Sequence, residues 1–310
     1  MNTTIVHDAT WHEERRTGIG GSDAPVVAGV GLTSRYELWH VKAGILEPRD
    51  LSDNPKVEWG LRHEAAIFAK FKEMHPDWRV RRAHVMRRSK RYPWAFAHFD
   101  GLVWIPGEPR PVPIQMKAPT SPDHWGPNGS DEIPHYHFPQ TQHEMAVAES
   151  DFAFEVALIQ GYDYREYRVG RDQAYIDKLM ADESSFYESI FTGEIPEPTT
   201  NDDFLHAYPA PEGSCIDEDG KIEALVAQLR NVKAILSTNE EREQELRTAI
   251  LQKLGPHARA ITKAKKNICS RSISERVSLR EQKAILDLFP EVSKFASTKS
   301  VVTLHLAKAA

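Results

Sequence analysis

The stretch PVPIQMKAPTS, residues 111–121, has the alternating pattern of a short strand. Its apolar side chains recur at every second position and are expected on one buried face: Val112, Ile114 and Met116. Gln115 and Lys117 then lie together on the opposite face. The strand therefore places an amide beside an ammonium group, and the rest of the chain determines what these two groups meet.

A carboxylate precedes this strand by one hairpin. Asp100, in the segment HFDGLV, is followed by apolar residues and then by a Gly/Pro-rich turn at 106–111. The turn lets the strand after Asp100 pair with 112–118, and the glycine that follows Asp100 indicates a bend that re-aims its carboxylate. A helix predicted over 58–74 brings Glu64 as a second acid.

Two carboxylates and neutral oxygens form the kind of site that binds Mg²⁺ or Mn²⁺. Such a cation lowers the pKa of a bound water and offsets charge on a phosphate. The lysine can hold or deprotonate that water, or bind the phosphate. These are the components of a metal-dependent phosphodiesterase. The same spacing also occurs among surface residues of ordinary hairpins, so the spacing alone leaves both interpretations open.

The composition is that of a soluble protein: 310 residues, 40% of them hydrophobic, with a net charge of −6. No apolar run is long enough for a membrane span, and the first residues lack the apolar segment of a signal peptide. The two cysteines, Cys215 and Cys269, fit a reduced, cytoplasmic setting. Two basic regions, 79–91 and 257–310, either contact nucleic acid or form ordinary solvated surfaces.

The order of predicted elements favours an α/β core with a mixed sheet. Strands are predicted over 79–87, 94–105, 112–118, 154–161 and 164–169, and helices over 58–74, 137–149 and 171–192. We assign residues 1–200 to this core and residues 201–310 to a separate C-terminal region.

The C-terminal region begins with a long helix, predicted over 216–254 and ended by Gly255. Its apolar spacing favours a helix packed on its own domain, or on a hairpin partner, over a true coiled coil. A small basic segment follows, with Lys263, Lys265, Lys266, Arg271 and Arg276. This segment can extend a DNA-binding track, mediate assembly or recruit a partner.

Several motifs, in the right order, resemble the lambda exonuclease/YqaJ-type viral recombinase family of the PD-(D/E)XK nuclease superfamily. They are WHEERRTGIGGSDAPVVAGVG (11–31), EWGLRHE (58–64), FDGLV (99–103), QMKAPTS (115–121) and IPHYHFPQTQHEMAVAES (133–150). The resemblance runs to about residue 195. It implies a PD-(D/E)XK restriction-endonuclease-like core with a mixed central sheet flanked by helices, plus a mainly helical C-terminal extension.

The resemblance also implies roles for individual residues. Glu64 matches the helix-borne acid near the metal, Asp100 the central metal-binding aspartate and Lys117 the catalytic lysine. Gln140 matches the helix glutamine that lines the active site. The backbone carbonyl of Met116 is implied as a further metal ligand.

The Gly-rich segment and two departures from the family pattern complete the predicted site. Arg15 and Ser22 match the residues that grip a DNA 5′-phosphate, whereas the segment alone equally allows Ser22 or Asp23 to cap a helix. The family most often has Glu where this chain has Gln115, whose carbonyl can still ligate Mg²⁺ but supplies no charge, so weaker metal binding is expected. His98 either contacts phosphate or packs.

The function implied by the resemblance is an Mg²⁺-dependent DNA exonuclease of a phage-type recombination module, which resects duplex ends 5′→3′. It further implies a homo-oligomer, as a trimer, and a single-strand annealing protein as partner. Two alternatives stay open: a DNA-end-binding protein whose nuclease site is weakened or inactive because of Gln115, and a nicking endonuclease. Core or hairpin packing is expected for Trp59, Trp94, Trp104 and Trp125 rather than base stacking, and Trp125 is the best candidate among them to contact DNA.

Overall fold

The computed structural model describes four stretches of the chain, residues 9–51, 53–83, 86–209 and 220–271. The chain divides into two compact units, with the boundary between Ala207 and Tyr208. Among the described residues, no helix is long and apolar enough to cross a membrane.

A mixed five-stranded sheet forms the centre of the first unit. The strands described in this unit are β1 Ile19–Gly20, β2 Arg79–Arg82, β3 Arg87–Arg88, β4 Ala95–Ala97, β5 Gly101–Trp104, β6 Val112–Lys117, β7 Phe152–Ile159 and β8 Asp163–Gly170. The central sheet has the order β2-β5-β6-β7-β8, with β6 and β7 parallel and the other neighbours antiparallel. The other strands form a small sheet of order β1-β4-β3. The predicted mixed sheet is confirmed.

Two predicted strands are each divided between the two sheets. The stretch 79–87 contains β2 and β3, and the stretch 94–105 contains β4 and β5, so the prediction of two continuous strands is wrong. Between β4 and β5 the chain leaves the ladder, and Phe99 buries its ring in the core. The break arises because β4 pairs with β1, which lies far earlier in the chain. It leaves Asp100 as the last residue before β5.

Helices cover both faces of the central sheet. The helices described in the first unit are α1 Ala9–Arg16, α2 Ala24–Val27, α3 Arg35–Lys42, α4 Pro55–Met74, α5 Phe138–Ala148, α6 Gln173–Thr192 and α7 Asn201–Ala207. α4 buries Ile67 and Phe71 against the sheet face that carries Ile114 and Met116. α5 buries Met145 against the other face. The sheet flanked by helices is therefore confirmed.

The second unit contains the long helix α8 Lys221–Leu254 and a two-stranded antiparallel sheet, β9 Arg259–Ile261 and β10 Asn267–Ser270. The helix ends at Gly255, as predicted, while the start of its predicted range lies outside the described residues. Arg276 of the basic segment lies outside them too. Several apolar side chains of α8 are exposed: Ile222, Leu225, Val232, Leu236, Leu246 and Ile250. The packing of this helix stays a prediction.

Candidate active site

Asp100 and β6 form the centre of the candidate site. The antiparallel pairing of β5 with β6 places Gly101 opposite Ile114. Asp100 therefore lies beside Gln115, the next residue of β6. The Oδ2 atom of Asp100 accepts hydrogen bonds from the Gln115 side-chain amide (2.7 Å) and from the Met116 backbone N–H (2.7 Å). The predicted hairpin thus brings the carboxylate and the amide into direct contact.

Helix α5 adds a fourth predicted residue to this cluster. Gln115 and Lys117 point to the sheet face that α5 covers, because they alternate with the apolar residues packed under α4. The Nζ atom of Lys117 donates to Gln140 Oε1 (3.1 Å), and the amide nitrogen of Gln140 donates to Gln115 Oε1 (3.0 Å). A continuous hydrogen-bonded chain therefore joins Lys117, Gln140, Gln115 and Asp100.

Burial dominates the protonation of Asp100. It raises the pKa of this carboxyl to about 6, although Lys117 and the Met116 N–H act to lower it. The charge of Glu64 raises the pKa further. Glu64 itself lies on α4 and forms an ion pair with Arg82 of β2 at 2.6 Å. The structure therefore places Glu64 close enough to influence Asp100, but its carboxylate is engaged by an arginine.

Reasoning from the sequence misses a second buried carboxyl, Glu144. It lies one helical turn after Gln140, is 2% exposed, and its Oε1 atom accepts a hydrogen bond from the Gln140 amide at 2.9 Å. Its buried Oε2 atom has no hydrogen-bond partner among the described residues. Burial, followed by repulsion from Asp100, raises the pKa of this carboxyl to about 8. The available signal is the i, i+4 spacing from Gln140, which places both side chains on one helix face.

The Gly-rich loop before α2 contains a separate group of charges. Arg15 donates a hydrogen bond to the Ser22 hydroxyl at 2.7 Å and pairs with Asp23 at 2.8 Å. The buried ammonium of Lys42 contacts the other oxygen of Asp23 at 2.6 Å. Burial alone raises the pKa of Asp23, but Lys42 and Arg15 outweigh burial and lower the pKa to about 2. The predicted pair of Arg15 and Ser22 is thus in direct contact.

Neither loop side chain caps α2, so that prediction is wrong. Asp23 occupies the N-cap position, but its side chain makes no capping hydrogen bond. Its Oδ2 atom accepts instead from the backbone N–H of Gly20, upstream of the helix, at 2.8 Å. Ser22 precedes the cap and is engaged by Arg15. Both side chains therefore stabilise the loop rather than the helix.

Two aromatic residues singled out from the sequence lie in different surroundings. His98 is half-buried two residues before Asp100, and its ring lies edge-on to Phe96 at 5.6 Å between centroids. Its contact with phosphate stays a prediction. Trp125 is 7% exposed and packs against Tyr167, as expected for a core residue.

Oxygen atoms dominate the site, which suits a hard divalent cation. The Asp100 carboxylate and the Gln115 amide are in contact, and Glu144 adds a buried oxygen that lacks a partner among the described residues. Mg²⁺ and Mn²⁺ prefer such donors. No group of three His, Cys, Asp or Glu side chains within the described stretches is arranged to hold a metal ion. The residue in contact with Asp100 is Gln115, which is neutral.

Residues 10–151 match the family model of the YqaJ-like viral recombinase domain. The matched residues make up less than half of the chain, and they contain all the candidate site residues from Arg15 to Glu144. The last two strands of the central sheet, β7 and β8, and helix α6 follow the matched residues and complete the fold.

Individual proteins resemble the chain over a larger part of its length. The chain is 28% identical over 238 residues to the uncharacterized protein YqaJ of Bacillus subtilis (strain 168). The aligned region covers 76% of this chain and 68% of that protein. The crystal structure of an alkaline exonuclease (LHK-Exo) from Laribacter hongkongensis matches with a TM-score of 0.48 and 17% identity, covering 60% of this chain and 94% of that one. A phage related exonuclease from Haemophilus somnus 129PT matches with a TM-score of 0.44 and 12% identity, covering 59% and 99%.

Proposed function

We propose that the first unit is a divalent-cation-dependent deoxyribonuclease that resects duplex DNA ends in the 5′→3′ direction. The observation that carries this proposal is the hydrogen-bonded cluster of Asp100, Gln115, Gln140 and Lys117, which combines metal-binding oxygens with one ammonium group. The match of residues 10–151 to the YqaJ-like viral recombinase domain supports a DNA substrate.

The oxygen atoms of the cluster would hold Mg²⁺ or Mn²⁺. We assign this role to the Asp100 carboxylate, the Gln115 amide oxygen and the backbone carbonyl of Met116, with Glu64 as a nearby acid. The bound cation lowers the pKa of water and offsets charge on phosphate. Asp100 supplies a full negative charge once it is ionised, whereas Gln115 orients the Asp100 carboxylate through its amide N–H.

Lys117 acts on the water or on the phosphate. Its ammonium can donate hydrogen bonds to an attacking water or to a non-bridging phosphate oxygen, and in its neutral form it can accept the proton of that water. Gln140 accepts one hydrogen bond from Lys117 and thereby fixes the direction of the side chain. The remaining N–H donors of the ammonium are then available to the substrate.

The loop charges fit a role in binding the 5′-phosphate of the DNA end. Two cations, Arg15 and Lys42, contact the one carboxylate of Asp23. The side chain of Arg15 is 24% exposed and that of Lys42 only 3%. A phosphate can therefore approach the guanidinium of Arg15, with the Ser22 hydroxyl beside it, and form charge-assisted hydrogen bonds. We propose His98 as a further phosphate contact.

The basic stretch 79–91 offers a surface for the phosphodiester backbone. Some of its side chains are held by protein groups, as Arg82 is by Glu64 and Arg88 by Thr17. Others are exposed: Arg81, Arg87, Lys90 and Arg91. Because such contacts release counterions, DNA affinity is expected to fall as salt rises.

On the family resemblance, we also propose a trimeric homo-oligomer and a single-strand annealing protein as partner.

The test is cleavage of end-labelled linear duplex DNA by the full chain, with Mg²⁺ or with EDTA. We expect cation-dependent shortening from 5′-phosphorylated ends, slower shortening from 5′-hydroxyl ends, and intact closed circles. Lys117→Ala should slow cleavage by about 10²–10⁴-fold, as expected for loss of an acid–base group. Lys178→Ala is the matched control, because Lys178 is exposed and pairs only with Asp182 on α6. Nicking of closed circles would favour an endonuclease instead.

A second function is favoured by one observation, the neutral Gln115 in contact with Asp100. A protein that binds DNA ends without cutting them would have the same fold and the same loop charges. The variant Gln115→Glu separates the two functions. If the parent chain binds duplex ends but cleaves nothing, and Gln115→Glu creates cation-dependent cleavage, the end-binding function is correct and the nuclease proposal is wrong.

A further inference from the structure

The negative charge that Gln115 does not supply is present on the neighbouring helix. Glu144 and Gln115 come from different elements, yet both accept a hydrogen bond from one atom, Nε2 of Gln140, at 2.9 and 3.0 Å. Their oxygens are therefore neighbours around a single donor. The geometry points to Glu144 as a ligand of the divalent cation, which takes the role of the acid that is absent from position 115.

The free oxygen of Glu144 is the first argument for this assignment. The carboxyl is 2% exposed, and its Oε2 atom has no hydrogen-bond partner among the described residues. A buried carboxyl oxygen without a partner is costly, and proteins rarely keep one. The other buried polar residues on the same turn of α5 do have partners: Thr141 bonds Glu155, and Gln142 bonds the Gly170 carbonyl. Glu144 is thus the member of this turn that a cation would complete.

The local charges are the second argument. Asp100 repels Glu144, and Lys117 attracts both carboxyls. His143, the other nearby cation, is itself hydrogen-bonded to the buried Glu183. Two carboxylates and one ammonium leave an excess of negative charge in a buried volume when both acids are ionised. One divalent cation offsets that excess, whereas a carboxylate at position 115 would increase it.

The Gly-rich loop is the third argument, because it limits access to Glu144. A Cβ atom at Gly21 would lie 2.9 Å from Oε1 of Glu144, so a larger residue there would displace the Glu144 side chain. The next residue is Ser22, which contacts Arg15. The loop that carries the proposed 5′-phosphate site therefore packs against Oε1 of Glu144, and Oε2 is the oxygen without a hydrogen-bond partner among the described residues.

This inference rests on the proposed nuclease function, and it is tested by cation binding rather than by cleavage. Isothermal titration of the full chain with Mn²⁺ compares the parent with Glu144→Gln, which keeps the size of the side chain and an oxygen for Gln140. We expect Glu144→Gln to weaken Mn²⁺ binding by about tenfold or more, because affinity follows the number of charged ligands. Glu188→Gln, an exposed acid on α6, is the matched control and should leave the affinity unchanged.

A second variant separates loss of a ligand from damage to the fold. Gln115→Glu combined with Glu144→Gln moves the carboxylate from the helix back to the strand and should recover most of the lost affinity. Unchanged Mn²⁺ binding in Glu144→Gln overturns the inference, as does weakened binding that the double variant does not recover. If the parent binds Mn²⁺ through Glu144 but cleaves no DNA, the inference stands and the nuclease proposal fails.

Discussion

Two groups of charged residues in the first unit have opposite charge balances. The loop cluster has one carboxylate and two cations, which are Asp23, Arg15 and Lys42. The strand cluster has two carboxyls and one cation, which are Asp100, Glu144 and Lys117. Burial raises the pKa of all three acids, but the final pKa is about 2 for Asp23, about 6 for Asp100 and about 8 for Glu144. The charged neighbours of each carboxyl therefore decide whether its pKa lies above or below the ordinary value.

The difference in charge balance shows which carboxylates the protein neutralises with its own cations. In the loop cluster, the protein supplies its own cations, and the carboxylate holds the Gly-rich loop in place. In the strand cluster, the protein leaves acidic groups uncompensated, at the place where a divalent cation is proposed to bind. The acid with the lowered pKa, Asp23, has its cations within the protein, whereas the acids with raised pKa values, Asp100 and Glu144, lie at the candidate metal site.

The two clusters also have opposite effects on stability as pH changes. The pKa of Asp23 is lower in the folded than in the unfolded state, so its contribution is present above about pH 4 and is lost as pH falls toward 2. Asp100 and Glu144 have raised pKa values and bind more protons when folded. Their effect therefore lowers stability as pH rises from about 4, through 6 for Asp100 and through 8 for Glu144.

The largest effect is expected from breaking the loop cluster. Lys42→Met leaves Asp23 buried with only the partly exposed Arg15 as a cationic partner, and it removes the hydrogen bonds of Lys42 to the carbonyls of Arg15 and Gly18. Loss of one partner of a buried ion pair typically costs about 3–5 kcal/mol. Chemical denaturation at pH 7 measures the free energy of unfolding.

The matched control is Lys178→Met, which breaks an exposed pair with Asp182. Exposed pairs contribute at most about 1 kcal/mol, so this variant should unfold nearly as the parent does. Similar losses for Lys42→Met and Lys178→Met would show that the loop cluster is no more important than a surface ion pair.

An intermediate effect of opposite sign is expected in the strand cluster. In EDTA at pH 8, Glu144→Gln should be more stable than the parent by about 1–3 kcal/mol. At this pH the folded parent must either ionise the buried Glu144 or hold its proton, and both cost free energy relative to the unfolded chain. The gain should shrink as pH falls toward 4.5, the ordinary pKa of the acid, because below it the acid is protonated in both states. Unfolding curves measured from pH 4.5 to 8 test this, since the slope cannot exceed about 1.4 kcal/mol per pH unit for one group.

Parallel stability curves for the parent and Glu144→Gln would contradict the raised pKa of Glu144. The groups that face this carboxyl are Asp100, Gln140, Lys117 and His143. Asp100 titrates at lower pH and repels Glu144, so the difference between the curves reports the titration of Glu144 together with its coupling to Asp100.

The sequence predicts the strand cluster better than the fold around it. Alternation along β6 gives the faces of Gln115 and Lys117 correctly, because a period of two is a local property. The turn before β6 also predicts correctly that Asp100 meets Gln115. The switch between β4 and β5 is not predictable in this way, since it depends on pairing of β4 with the distant β1.

Tertiary contacts also explain the other differences. Glu64 pairs with Arg82. Neither the helical pattern around Glu64 nor the strand pattern around Arg82 can predict this contact. Trp125 is buried by Tyr167 from β8, although its local segment is rich in turn residues. Glu144 lies on a helix that is buried on nearly every side, so a polar residue there does not stand out by exposure. Its spacing from Gln140 is the local signal that remains.

The smallest effect is expected from adding the cation itself. Mg²⁺ at ten times its dissociation constant should stabilise the parent at pH 8 by about 1.4 kcal/mol, because it binds the folded state only. Asp100→Asn should lose this increment, since it removes the central carboxylate. Lys42→Met should keep it, because the loop cluster already contains its own cations and has no place for another. Thermal unfolding with and without Mg²⁺ measures the increment for each protein. Equal stabilisation of the parent and Asp100→Asn would place the ion elsewhere on the chain, and the contrast between the two clusters would then have no bearing on metal binding.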